Sequence, residues 1–124
     1  MKIKYIFFLL ITASVFTLVG CSGNKELKKD AKGIADIMCK NIDVMNKLRA
    51  ADPADSVQLM KLQQDAKQVQ IEMTIVYQEF KEKNKNKLED EKFNKNFARE
   101  LRKSMLECPH LSAKDREAFE KELK

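Results

Sequence analysis

Residues 59–80 read LMKLQQDAKQVQIEMTIVYQEF, and this stretch decides the fold. Its apolar residues return at alternating spacings of three and four: Leu59, Leu62, Ala66, Val69, Met73, Val76 and Phe80. Such a spacing is typical of an α-helix with one buried face. Because no Gly or Pro occurs between Ala54 and Leu88, we expect one helix of about 30 residues, from Pro53 to about Lys85.

A similar pattern before this stretch predicts a first helix from about Lys25 to Ala50. Its apolar positions are Leu27, Ala31, Ile34, Met38, Met45 and Leu48, and a wider apolar face is added by Ile37, Ile42 and Val44. That face is broader than the narrow stripe of a coiled coil. Asp52 is a suitable N-cap and Pro53 suits a first helical position, so we expect the second helix to begin there.

Two more helices are expected in the C-terminal third of the chain. One runs from about Glu89 to Glu107, and its apolar face carries Phe93, Phe97, Leu101, Met105 and Cys108. Ser112 and Asp115 resemble a capping box and start a short helix that ends at Leu123. No long stretch alternates with the period of two that marks a strand. The fold class predicted is therefore all-α, an antiparallel three-helix bundle with a short C-terminal fourth helix.

The N-terminal segment has the parts of an export signal: a basic start, an apolar run over residues 6–19, and the ending Leu18, Val19, Gly20 and Cys21. This ending resembles the lipobox of bacterial lipoproteins, and the resemblance covers residues 1–21 only. It implies cleavage before Cys21, lipidation of its thiol and acylation of the new N-terminus. An uncleaved membrane helix is the alternative, because about 20 apolar residues can span a bilayer.

This resemblance sets the domain organisation and the location that we expect. Residues 1–20 are the signal peptide, residues 21–26 a lipidated tether and residues 27–124 the bundle, anchored to a membrane of the cell envelope through the lipid on Cys21. Ser22 occupies the position where, in lipoproteins of enteric-type bacteria, aspartate tends to retain the protein at the inner membrane. The resemblance therefore favours the periplasmic face of the outer membrane in a Gram-negative cell.

With Cys21 assigned to the lipid, Cys39 and Cys108 remain in an oxidising compartment, which predicts a disulfide. In an up-down-up arrangement, the rise of about 1.5 Å per residue places these two cysteines within about one helical turn of each other in height. Two separate buried thiols are the alternative.

Three groups of residues have a catalytic or ligand-binding interpretation, and each also has a simpler structural one. Cys108 and His110 resemble a thiol nucleophile with its base, but no orienting third group is visible and the disulfide would consume the thiol. The methionines Met38, Met45, Met73 and Met105 fall on apolar faces, where core filling is more common than metal binding. The lysines Lys81, Lys83, Lys85 and Lys87 are either a solvated helix end or a patch for anionic lipid or glycan.

The charge of the chain does not identify a partner. The net charge is +5, and it falls to +3 once Lys2 and Lys4 leave with the signal peptide. Although basic proteins often bind nucleic acid, an exported protein does not meet it routinely, so we expect none. Gly-rich phosphate loops and carboxylates in apolar surroundings are also missing from the sequence.

We therefore expect no enzymatic activity, no cofactor and no metal. The function predicted is a lipid-anchored envelope module that binds another envelope protein through a helix face or has a structural role. One alternative is a carrier of a small ligand or metal in the bundle core. Another is self-association of the second helix as a coiled coil.

Overall fold

The computed structural model describes residues 24–124 and consists there of helices and their connections. The helices are α1 (Lys2–Ala50), α2 (Ser56–Asn84), α3 (Glu91–Met105) and α4 (Ala113–Glu122), and α1 is considered only from Asn24 onward. No β-strand occurs in residues 24–124, which confirms the all-α class. The expectations for the signal peptide, the lipobox residues Leu18, Val19 and Gly20, and Cys21 concern residues outside this part of the chain.

No helix within the described residues is both long enough and apolar enough to cross a membrane.

Helix α1 is the element on which the others assemble. It makes extensive contacts with both α2 and α3, and no other pair of helices in residues 24–124 shares as many. The contacts with α2 follow reverse order along the two chains, since Lys40 pairs with Glu72 and Asp30 pairs with Lys83. The contacts with α3 place Lys32 beside Glu107. Helices α2 and α3 therefore pack against two different faces of α1.

The face toward α2 carries the first apolar cluster. Ile37, Val44 and Val69 are its buried members, and Leu48, Ala66, Met73 and Val76 pack against them. The α2 residues in this cluster all belong to the three-four pattern found in residues 59–80, so the pattern correctly predicted which side of α2 is buried.

The face toward α3 carries a second, separate cluster. Ala35, Met105, Cys108 and Leu111 are its buried members, and Met38, Cys39, Ile42, Leu101, Leu106 and Phe119 pack against them. Phe119 brings α4 into this cluster. The broad apolar face noted on α1 now has a physical reason, because Ile37 and Val44 serve one cluster while Ile42 serves the other.

The predicted start of the second helix is wrong by three residues. Asp52 and Pro53 belong to a turn that the Asp55 N–H closes by donating to the Asp52 carbonyl at 3.0 Å. Asp55 is the actual N-cap, and its carboxylate accepts from the Gln58 N–H at 2.9 Å. The chain offers two aspartates as caps, and the tight turn uses the first of them, so only the second is left for the helix.

The start of α1 lies outside the described residues, and the remaining helix ends lie within two residues of their predicted positions. Side chains cap two of these starts. Asp90 caps α3 by accepting from the Lys92 and Phe93 N–H groups at 2.8 and 3.3 Å. Ser112 caps α4 and accepts from the Asp115 N–H at 3.1 Å. The Asp115 carboxylate accepts from the Ser112 hydroxyl at 2.6 Å, so the two residues of the capping box also hydrogen-bond to each other through their side chains.

The last turn of α2 is better ordered than the lysine-rich sequence suggested. Asn84, which lies between the lysines interpreted as a solvated helix end or a binding patch, is buried at 5% exposure and donates to the Phe80 carbonyl at 3.0 Å. The Phe80 ring lies 4.4 Å from the Phe97 ring, centroid to centroid, in a stacked arrangement. This aromatic contact joins the end of α2 to α3.

Candidate functional site

The predicted disulfide is present between Cys39 and Cys108, with a Cα–Cα distance of 5.7 Å. Arg116 of α4 strengthens the same corner by donating to the Leu106 carbonyl at 2.5 Å and the Cys108 carbonyl at 2.8 Å. These carbonyls follow the end of α3, where a cation is electrostatically favoured. The sequence analysis missed Arg116, because nothing in the chain marks which arginine returns to an earlier helix.

His110 lies beside this disulfide on an exposed turn. Its Nδ1 atom is 3.6 Å from Asp43 Oδ1, and its carbonyl accepts from the Asn46 side chain at 3.4 Å. The pKa of Asp43 is lowered, mainly by the hydrogen bond from Lys47 and further by Lys47 and His110 charges. Cys108 is in the disulfide, so it presents no free thiolate to act as a nucleophile with His110.

An apolar groove lies between α1 and α2. Its lining residues are Ile34, Met38, Met73, Thr74, Tyr77, Gln78 and Lys81, and its volume is about 460 Å³. Ile34 forms a buried part of the lining, at 3% exposure, whereas Tyr77 is 48% exposed. A groove of this volume and apolar character is within the range of small-molecule sites.

A smaller, separate recess lies on the α3 side of Met38. It has a volume of about 160 Å³ and is lined by Met38, Ala98, Leu101, Arg102, Met105 and Phe119. The prediction that methionines fill the core is therefore right for Met105, which is 2% exposed. Met38 and Met73 are only partly buried and line open space as well.

The four alternating lysines do not form one patch. Lys83 bonds to Asp30 at 2.8 Å, and this hydrogen bond is the main reason that its pKa is raised. Lys81 lies 5.3 Å from the centre of the Tyr77 ring, and Lys87 lies 5.9 Å from the centre of the Phe93 ring. These three ammonium groups thus have different local partners.

The outward face of α2 is a second apolar surface, which the sequence analysis did not predict. Val57, Met60, Ile71 and Ile75 are 77%, 59%, 56% and 49% exposed. At about 100° per residue these four side chains fall within roughly one sixth of the helix circumference, opposite Val69. We call them the outer stripe. These four apolar residues could have been recognised in the sequence as sharing one helix face, but only the longer three-four pattern on the opposite face was analysed.

Residues 24–124 contain no group of three or more His, Cys, Asp or Glu side chains arranged to hold a metal ion. No family model, curated protein or solved structure matches the chain.

Proposed function

We propose that the protein is a non-enzymatic lipoprotein of the cell envelope that binds another envelope protein through the outer stripe of α2. It is anchored by a lipid on Cys21, and its mature part is an antiparallel three-helix bundle with a short fourth helix. The reverse order of the contacts between α1 and α2 supports this arrangement.

The exposure of the outer stripe is the observation that carries the proposal. Four large apolar side chains on one helix face exceed the isolated exposed residues of an ordinary surface. The stripe is continued by the uncharged side chains of Gln64, Gln68 and Gln78, all exposed. A helix of the partner can lie along such a stripe and cover its apolar residues.

Charges beside the stripe set the orientation of a bound helix. At about 100° per residue, Asp65 and Glu79 lie along one edge and Lys67 lies along the other. The partner helix should therefore carry basic residues on one edge and acidic residues on the other, which favours one direction of binding.

Site-directed photo-crosslinking in the native envelope tests this proposal. Benzoylphenylalanine at Ile71 should yield an adduct with one defined protein, whereas the same probe at the exposed Lys28 of α1 should not. Adding Ile75→Asp should remove the Ile71 adduct. Equal adducts from both positions, or none from Ile71, would overturn the proposal.

The same experiment detects self-association, because an adduct of twice the chain mass would identify a second copy as the partner. The pattern residues Ala66, Val69 and Phe80 are already packed inside the molecule, so a coiled-coil pairing would use the outer stripe instead. Mass spectrometry of the same membrane fraction tests the anchor. We expect a diacylglyceryl adduct on Cys21, and an unmodified N-terminus at Met1 would contradict it.

A further inference from the structure

We propose that the groove between α1 and α2 binds an anionic amphiphile with a single alkyl chain, such as a long-chain carboxylate or a lysophospholipid. The chain lies over Met38 and Met73, and the anionic head lies at Lys81. This site adjoins the outer stripe at Gln78, but its apolar lining, Ile34, Met38 and Met73, is separate from the stripe, so occupancy of the groove does not require the protein partner.

The apolar lining of the groove favours a ligand with an alkyl chain. Ile34, Met38, Met73 and Tyr77 supply its apolar surface, and no carboxylate is among the lining residues. Methionine side chains are flexible and polarizable, so they adapt to a chain that bends. Covering this surface removes apolar area from water, which favours binding.

The rim of the groove favours a negative charge on the head of the ligand. Lys81 is the one charged residue among the lining side chains, and Thr74 and Gln78 stand beside it as hydrogen-bonding groups. Among residues 24–124, no ion pair involves Lys81, whose ammonium group lies over the Tyr77 ring instead. An anionic head placed there has the Lys81 ammonium group and the Gln78 amide donor within the same rim.

The length of the ligand follows from the position of Met38. This side chain lines both the groove and the smaller recess formed with Leu101, Met105 and Phe119. In the proposed pose, a chain whose head is at Lys81 passes over Met38 and ends in this neighbouring recess. Extended molecules with one chain fit this path, whereas a compact ligand would leave the recess empty.

Photolabelling of the full chain in isolated envelopes tests the site. The probes are a diazirine-bearing palmitate, a diazirine-bearing lysophosphatidylglycerol and, as the uncharged control, a diazirine-bearing hexadecanol. Fragment spectra should place the anionic adducts on Met38, Met73 or Tyr77. Ile71 and Ile75 occur in the same segment on the outer stripe and act as an internal control, since nonspecific labelling would reach them equally.

Two substitutions test separately the preference for an anionic head and the occupancy of the groove. Lys81→Gln should raise the half-saturating concentration of the palmitate probe about threefold to fivefold, while Lys67→Gln, outside the groove, should leave it unchanged. Thr74→Trp should fill the rim from an exposed position and abolish labelling without loss of helix content.

Each result has a definite consequence. Preferential labelling by palmitate or by the lysophospholipid supports the site and identifies which source of the anionic head it prefers. Equal labelling by hexadecanol, labelling mainly at Ile71 and Ile75, or an unchanged half-saturation in Lys81→Gln would overturn the proposal. A failed partner crosslink from Ile71 would leave these results unaffected.

Discussion

The packing of α1 against α3 and its packing against α2 are stabilised by different interactions. On the α3 side a disulfide joins Cys39 to Cys108, Ala35 and Met105 are almost fully buried, and Arg116 ties α4 to the end of α3. On the α2 side the buried apolar residues include Ile37, Val44 and Val69, and the ion pairs around them are partly exposed. The α3 side thus has covalent reinforcement that the α2 side lacks.

This difference distinguishes a reinforced side from the side on which we propose that binding occurs. The proposed binding surfaces, the outer stripe and the groove, both involve α2. A helix that keeps one face for α1 and exposes apolar residues on another contributes less burial to stability than a fully enclosed helix. We expect stability and binding to respond differently to substitutions on the two sides.

The largest effect is expected from Val69→Asp, on the buried face of α2. The substitution places an unpaired charge where the side chain is 5% exposed, at a cost of about 5 kcal/mol, so urea unfolding should lose its cooperative transition. Ile71→Asp, two residues away on the outer stripe, is the matched control and should change the free energy of unfolding by less than about 0.5 kcal/mol. Equal losses in both variants would contradict the assignment of faces.

Removal of the disulfide should come next. The bond closes a loop with a sequence separation of 69, and the loop-entropy model gives a loss of about 4 kcal/mol for Cys39→Ser with Cys108→Ser. Non-reducing peptide mapping of the parent chain should recover the linked fragment, and urea unfolding should measure the loss. Freely alkylated cysteines in protein from the native envelope would show that the bond is absent in the cell.

Phe80→Ala should destabilise the protein by about 3 kcal/mol, because Phe80 is buried and stacks on Phe97 across the gap between α2 and α3. Phe80→Leu, which keeps most of the volume, should lose less. Because this contact links the two sides, the alanine variant should also widen the interval of urea concentration between their unfolding. A single unshifted transition would show that the contact contributes little.

Glu72→Gln should have the smallest effect. The pKa of Glu72 is lowered from 4.5, first by the hydrogen bond from Lys40. A lowered carboxyl pKa stabilises the fold above the unfolded value, and this contribution disappears as pH falls through the folded value. Thermal melts should therefore show a small deficit for the variant at neutral pH, and none well below pH 4.5. A deficit that persists in acid would point to lost packing instead.

The sequence predicted the buried face of α2, the four helices of residues 24–124 and the disulfide, because each depends on local periodicity or on the number of cysteines. It did not predict the division of the α1 face, since whether Ile37 and Ile42 meet one neighbour or two is decided by tertiary packing. The groove was missed for the same reason. Met38 and Met73 have the spacing of core residues, and only the packing of α1 against α2 shows that space remains beside them.

Hydrogen exchange of the full chain in increasing urea tests most directly whether the two sides of α1 are stabilised separately. Peptides from α2, residues 56–84, should lose protection at lower urea than peptides from α3 and from residues 35–42 of α1, because the disulfide retains the α3 side. Loss of protection in all three segments at one urea concentration would contradict a molecule with a reinforced side and a separately held binding helix.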